Sequence, residues 1–131
     1  MIIDTSAVVA ILRAEPEAAR FSTVIADTES PKMSVAGYVE AGAVIDAAED
    51  PIASRQLDEL IRVAAIEFEP VTVDQAMIAR RAYRDFGKGH GHAASLNFGD
   101  CLAYALAIDH DDELLFKGDD FVHTDVRRAP W

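Results

Sequence analysis

The chain alternates short apolar runs with longer segments whose apolar residues recur at helical spacing. The predicted strands are Ile2–Ile3, Pro31–Val35, Ala65–Phe68 and Glu113–Lys117, with a short last strand starting at Val126. The predicted helices are Ala7–Leu12, Glu15 to about Asp27, the run around Glu40, Ile52–Ala65, Val73–Phe86 and Asn97–Ile108. Strands separated by helices of this length need crossover connections, so the pattern predicts an α/β domain with a largely parallel sheet covered on both faces.

Local signals mark where two of these helices begin. Thr5 or Ser6 can cap the first helix, since a hydroxyl there accepts from a free backbone N–H. Pro51 restarts the chain after a break, as expected of proline in a first helical turn. No repeat or linker divides the chain, and its 131 residues match a single domain spanning residues 1–131.

One acid interrupts an apolar helix. Between Met33 and Ile45 the only charged side chain is Glu40. Burying a carboxylate without a partner lowers the free energy of unfolding by about several kcal/mol. Because nothing near it in sequence can neutralise Glu40, we expect it to face a site that supplies a cation, hydrogen bonds or water.

Other acids lie where a parallel sheet gathers ligands. Asp4 follows the first strand, Asp100 opens a helix, and Asp119 and Asp120 follow the late strand. Ligands of open parallel sheets bind beyond the carboxyl ends of the strands. Oxygen donors without paired cysteines favour Mg²⁺, with Mn²⁺ as a substitute, over zinc. The pattern therefore predicts an acidic metal centre.

Each acid also has a purely structural interpretation. Asp4 can simply cap the first helix, and Asp100, three residues after Asn97, can complete a capping box. Asp119 and Asp120 can be turn residues after Gly118. One metal centre explains all of these positions together, whereas the structural interpretation needs a separate coincidence for each.

Bulk composition narrows the class of protein. Half of the residues are hydrophobic and 27% are charged, which is typical of a folded domain. The lone Cys101 cannot form an internal disulfide, no apolar stretch is long enough to span a membrane, and no leader precedes the first strand, so we expect a cytoplasmic protein.

The net charge of −11 argues against general attraction to nucleic acid. A local basic patch is nevertheless present, and the candidate RNA-binding residues in it are Arg80, Arg81, Arg84 and Lys88. Its alternative interpretation is a solvated helix end. Gly87, Gly89 and Gly91 follow as a flexible loop and the best hinge candidate.

Competing motifs are absent or weak. The chain has no phosphate-binding glycine loop and no serine-hydrolase elbow. His90 and His92 form a loop pair without a third ligand, which favours RNA contact over metal binding. Cys101 lies inside an apolar helix without a local base, so it is expected to be a core residue.

Four segments, taken in order, resemble the PIN-domain ribonucleases, specifically the VapC-type toxins of bacterial toxin-antitoxin systems. They are MIIDTSAVVAIL, SVAGYVEAGAVI, LNFGDCLAYALA and LLFKGDDF. They look like the family's first strand and helix, its glutamate helix, its third-acid helix and its last acidic strand. The resemblance implies a PIN-like three-layer α/β/α sandwich.

The resemblance also implies roles for residues. Asp4, Glu40 and Asp100 match the metal-centre acids, with Asp4 and Asp100 as direct Mg²⁺ ligands and Glu40 acting through water or a second ion. Ser6 and Asn97 match residues that support the site, one by orienting Asp4 and the other by capping the Asp100 helix.

The fourth acid departs from the family pattern. Family members often carry two aspartates one residue apart before an aromatic residue, and Gly118 stands where the first would be. Either Asp119 or Asp120 substitutes, or the site has three acids.

The implied activity is Mg²⁺-dependent endonucleolytic cleavage of RNA, typically transfer RNA or a ribosomal RNA loop, that arrests translation. A cognate antitoxin would restrain it, and such toxins are commonly homodimers. Three alternatives stay open: a magnesium-dependent phosphatase or DNA nuclease, a PIN domain that binds RNA without cutting it, and a receiver-like phosphoacceptor, which lacks the expected aspartate because the third strand leads into Glu69-Pro70.

Overall fold

A four-stranded, fully parallel sheet forms the centre of the protein in a computed structural model that describes residues 1–131. The strands are β1 (Ile2–Ile3), β2 (Lys32–Ser34), β3 (Glu67–Glu69) and β4 (Leu114–Leu115). Their order across the sheet is β3-β2-β1-β4, so β1 lies in the interior with β2 and β4 on either side. The carboxyl ends of all four strands therefore lie at one edge of the sheet.

Six helices connect the strands. They are α1 (Thr5–Leu12), α2 (Ala18–Ala26), α3 (Val35–Asp46), α4 (Pro51–Val63), α5 (Val73–Phe86) and α6 (Phe98–Asp109). A 3₁₀ turn, Asp120–His123, follows β4. None of the six helices combines the length and the apolar character that a membrane crossing requires.

Successive residues of β1 point to opposite faces of the sheet, and this alternation creates two cores. Ile2 is fully buried in a cluster that includes Leu106 of α6 and Phe116. Ile3 is buried in the other cluster, with Val8 of α1 and residues of α2 and α4. Helices thus cover both faces, which confirms the predicted three-layer α/β/α sandwich around a parallel sheet.

Three local predictions need correction. Asp4, rather than Thr5 or Ser6, caps α1, because its side chain accepts from the Ser6 amide. The third strand begins at Glu67, since Ala65 has a φ of 50° and turns the chain out of the preceding helix. No strand begins at Val126; the C-terminal segment makes only an isolated bridge between Leu114 and Arg128.

Candidate metal centre

Asp4 lies at the carboxyl end of β1 and is almost completely buried, with 3% of its surface exposed. Its backbone amide donates to the carbonyl of Leu115 in β4, at 2.9 Å, which fixes it at the sheet edge. Its Oδ2 atom accepts from the Ser6 amide at 2.9 Å and from the Ser6 hydroxyl at 2.5 Å. Both hydrogen bonds end on Oδ2, so Oδ1 is left for another partner.

Ser6 connects Asp4 to the segment that follows β4. While the Ser6 hydroxyl donates to Asp4, it accepts from the backbone amide of Lys117 at 3.0 Å. The Lys117 ammonium lies 2.6 Å from Glu15 and 2.9 Å from Glu17, and both acids raise its pKa. The positive charge of Lys117 is therefore committed to the turn between α1 and α2 and does not compensate Asp4.

Asp100 lies in the first turn of α6, where it forms a reciprocal capping box with Asn97. The Asp100 amide donates to Asn97 Oδ1 at 2.9 Å, and the Asn97 amide donates to Asp100 Oδ2 at 2.8 Å. These bonds satisfy two amides that the helix start would otherwise leave free. As at Asp4, the structural bond uses Oδ2 and leaves Oδ1 without one.

Glu40 reaches the same edge from α3. It is half-buried, and its Oε2 accepts from the Thr5 hydroxyl at 2.8 Å. Its carboxylate also lies against the backbone of Gly99, so closely that a Cβ atom on Gly99 would collide with it. Glu40 thus lies at the sheet edge beside the other acids, and its side chain is held by a hydroxyl group rather than by a basic side chain.

Asp120 is the better placed of the two late aspartates. Its negative charge is among those that raise the pKa of Asp100, whereas that of Asp119 is not. Gly118, with a φ of +96°, turns the chain after β4, and Asp120 then opens the 3₁₀ turn. The structure therefore brings Asp120 towards the acids of the sheet edge, and Asp119 caps the turn without a side-chain hydrogen bond.

Negative charge accumulates at this edge without compensation. Burial raises the pKa of Asp100 to about 7, and the charges of Asp4, Asp120 and Glu40 add to the increase. Burial also raises the pKa of Asp4, with a contribution from Glu40. No positive charge acts on either group. The site consequently favours either protonation or a bound cation.

The donor set suits a hard divalent cation with few protein ligands. No three Asp, Glu, His or Cys side chains stand in a geometry that would hold a metal ion together. Mg²⁺ commonly binds through one or two carboxylates and keeps several waters, so a complete protein cage is not required. The free Oδ1 atoms of Asp4 and Asp100, beside an excess of negative charge, match that requirement.

The predicted basic patch lies at the same end of the protein as Asp100. α5 and α6 are antiparallel: Gln75 donates to Asp109 at 3.0 Å at one end, and Gly87 bridges to Leu96 at the other. The basic residues follow the second half of α5 and are all exposed: Arg80, Arg81, Arg84 and Lys88. Arg84 pairs with Asp85 at 2.8 Å, so part of the patch is already neutralised.

The histidines of the glycine loop pack on aromatic rings of α5. The His90 ring lies 5.5 Å from Tyr83, and the His92 ring lies 5.1 Å from Phe86. His92 Nδ1 also accepts from the Ala94 amide at 3.1 Å. No third His, Cys, Asp or Glu side chain joins them in a metal-binding arrangement.

Comparison with known proteins gives the family. The PIN domain matches residues 1–127. The chain belongs to the PIN domain family. This PIN domain is 56% identical over 129 residues to Ribonuclease VapC28 of Mycobacterium tuberculosis, with 98% of this chain and 97% of the relative covered. It is 45% identical over 129 residues to Ribonuclease VapC42 of the same species, with 98% of each chain covered.

Solved structures have the same fold. VapC20 of Mycobacterium tuberculosis, described as a Sarcin-Ricin loop cleaving toxin, superposes with a TM-score of 0.76 at 15% identity, over 98% of this chain and 97% of that one. A toxin-antitoxin complex from Klebsiella pneumoniae gives a TM-score of 0.72 at 14% identity, over 99% and 97%. The resemblance to VapC-type PIN domains, drawn from four short segments, is confirmed.

Three residues that shape the PIN site were not predicted from the sequence. Thr5 holds Glu40, Gly99 leaves room for it, and Lys117 supports Ser6. A glycine next to Asp100 in a first helical turn is one signal that the sequence does carry, because glycine often marks a close approach. The roles of Thr5 and Lys117 depend on contacts between distant segments and have no local signal.

We expect the metal-free protein to lose stability as the pH rises from about 4 to about 7. The pKa of Asp100 is near 3.8 when unfolded and about 7 when folded, so the folded state holds the extra proton across this window. Stability then falls with rising pH and levels off above about 7. Thermal unfolding in a chelator, for the wild type and for Asp100→Asn, measures this contribution as the difference between the two pH profiles.

Asn keeps the oxygen that accepts from the Asn97 amide, so the capping box survives in this variant. A difference between the profiles that is flat over this pH range would contradict the raised pKa of Asp100.

Proposed function

We propose that this PIN domain is a metal-dependent endoribonuclease that acts as a VapC-type toxin. The observation that carries the proposal is the group of four acids at the carboxyl edge of the sheet, whose charge has no positive partner. Two relatives that match nearly the whole chain are named ribonucleases. Hydrolysis of RNA is consistent both with the acidic site and with the names of these relatives.

Asp4 and Asp100 would hold the metal through their free Oδ1 atoms, with Mg²⁺ as the ion and Mn²⁺ as its substitute. A bound divalent ion lowers the pKa of water and stabilises the leaving oxygen of a phosphodiester. Ser6 and Asn97 keep the two ligands oriented, because each fixes the Oδ2 atom of its aspartate. Glu40 and Asp120 would accept hydrogen bonds from water at the site and position it.

The RNA would reach the acids along the end of α5. Arg80, Arg81 and Lys88 are exposed there and can pair with phosphates, while Arg84 first has to leave Asp85. We propose transfer RNA or a ribosomal RNA loop as the target and arrest of translation as the result. The neighbour VapC20 is itself described as cleaving the Sarcin-Ricin loop, and this supports a structured loop as substrate.

Two partners follow from the proposed toxin role. A cognate antitoxin would restrain the nuclease, and the similarity to a toxin-antitoxin complex supports this partner. We expect a small reading frame for it beside the gene of this protein. Its product should stop RNA cleavage when it is added to the purified nuclease. A product that binds but leaves cleavage unchanged would contradict restraint at this site.

We further propose that the protein is a homodimer. Phe98 is 77% exposed and Val39 is 67% exposed, on the two sides of the groove between α3 and α6 that leads to Glu40. Monomers seldom leave contiguous large apolar side chains in water. Sedimentation velocity should show a dimer that Phe98→Glu shifts towards monomer. A wild-type monomer at tens of micromolar would contradict the dimer.

Asp4→Asn should reduce RNA cleavage at least about a hundredfold, because even residues that only support metal ligands contribute ten- to hundredfold. The asparagine oxygen can still accept from Ser6, so we expect the fold to be preserved and the unfolding temperature not to fall. Purified protein should be tested with Mg²⁺ or Mn²⁺ on RNA, on DNA and on a phosphomonoester.

Asp27→Asn is the matched control, since Asp27 is an exposed acid at the end of α2, and its cleavage rate should equal that of the wild type. Full activity of Asp4→Asn would remove this residue from the mechanism, and activity confined to the phosphomonoester would refute the ribonuclease.

Replacing Arg80, Arg81 and Arg84 together by alanine should weaken RNA binding and flatten its dependence on salt, by roughly one unit of slope for each phosphate that the protein no longer neutralises. Binding of a catalytically impaired Asp4→Asn protein, measured over a range of salt concentrations, avoids cleavage of the probe. The control replaces three exposed arginines elsewhere: Arg13, Arg55 and Arg62. Equal losses in both triple variants would mean that only net charge matters and that the patch on α5 is not the docking surface.

A further inference from the structure

Glu40 is a carboxylate at a crowded acidic edge without a basic partner, so its position must be set by something other than an ion pair. The structure gives it one directed side-chain hydrogen bond, from the Thr5 hydroxyl to Oε2 at 2.8 Å. Its other close neighbour is the backbone at Gly99. These two contacts come from α1 and α6, the helices that begin beside Asp4 and Asp100. The position of Glu40 is therefore tied to both predicted metal ligands.

The Thr5 hydroxyl has a restricted choice of partners because its residue is buried. It lies 2.8 Å from Glu40 Oε2 and 3.1 Å from the carbonyl oxygen of Gly37, one turn earlier in α3. Both are acceptors and the hydroxyl has a single proton, so the shorter bond to the charged oxygen is favoured. The side chain of Thr5 thereby pins one oxygen of Glu40 to the start of α1.

Gly99 also restricts where the Glu40 carboxylate can lie. A Cβ at this position would overlap both carboxylate oxygens and the carbon between them. The side chain of Glu40 is flexible, so a larger residue at position 99 would displace the carboxylate rather than the helices. The carboxylate also lies beside the first turn of α6, where the helix dipole stabilises negative charge.

We propose that Thr5 and Gly99 are positioning residues that form a seat for the Glu40 carboxylate and hold it at the metal centre. Thr5 supplies the directed hydrogen bond, and Gly99 supplies the space. Neither residue is assigned contact with RNA or metal; both act through Glu40. This inference depends on the proposed function only where cleavage is the quantity measured.

A double-mutant cycle separates this role from a general structural one. Thr5→Val keeps the shape of the side chain and removes the hydroxyl, and Thr5→Ser keeps the hydroxyl. We expect Thr5→Val to weaken Mn²⁺ binding about three- to tenfold by calorimetry and to slow cleavage about ten- to hundredfold, the range for residues that orient metal ligands. Thr5→Ser should recover most of both losses.

The decisive comparison is made in the Glu40→Ala background. If Thr5 acts through Glu40, Thr5→Val should change Mn²⁺ affinity and cleavage by less than about twofold once the Glu40 carboxylate is removed, because coupled residues are not additive. Gly99→Ala should behave in the same way: harmful in the wild type and nearly neutral in Glu40→Ala, where no carboxylate is left for the added methyl group to displace. Gly99→Ala still tests the proposal if Thr5→Val does not fold.

Two results would contradict the positioning role of Thr5 and Gly99. One is losses of Mn²⁺ affinity and cleavage that add fully in the Glu40→Ala background, and the other is a Thr5→Ser variant as impaired as Thr5→Val. Far-ultraviolet circular dichroism and unfolding temperature confirm that each variant is folded. A wild-type protein that binds Mn²⁺ with the predicted coupling but cuts no RNA would refute the proposed function and leave the seat intact, so the two failures are distinguishable.

Discussion

The crowding of carboxyl groups at a partly buried sheet edge is the constraint on which the site depends. Asp4 is buried and Asp100 is half-buried, each lies within reach of the other's charge, and the further acids Glu40 and Asp120 add to it. Lys117, which follows β4, is paired with two glutamates outside the group. A fold that gathers acids and directs its cations elsewhere loses stability at neutral pH unless protons or metal ions compensate the charge.

The structural and functional interpretations of these acids prove compatible. Asp4 caps α1 and Asp100 completes a capping box, as an entirely structural account would require. Each does so with Oδ2, which leaves Oδ1 without a hydrogen bond. The same bonds that begin a helix therefore hold a carboxylate in one orientation. Helix capping provides rigidity that a metal ligand on a free loop would lack.

The sequence predicted the architecture well because the architecture depends on local patterns. Alternating runs with helical and strand spacing indicated the parallel sheet, and acids just beyond strands indicated the site, since parallel strands end at one edge. The late aspartates stayed ambiguous because their placement depends on the turn at Gly118. Thr5 was considered only as a helix cap, yet its hydroxyl bonds to Glu40, 35 residues away. Such long-range contacts have no periodicity to reveal them.

A divalent cation that binds at this edge would replace a proton. Calorimetry of Mn²⁺ binding near pH 6.5, repeated in buffers of different ionisation enthalpy, counts the protons that binding releases. With the pKa of Asp100 at about 7, we expect release of a substantial fraction of one proton per ion, and a smaller release at equal Mn²⁺ saturation in Asp100→Asn. Binding without proton release, or no Mn²⁺ binding at millimolar concentration, would contradict it.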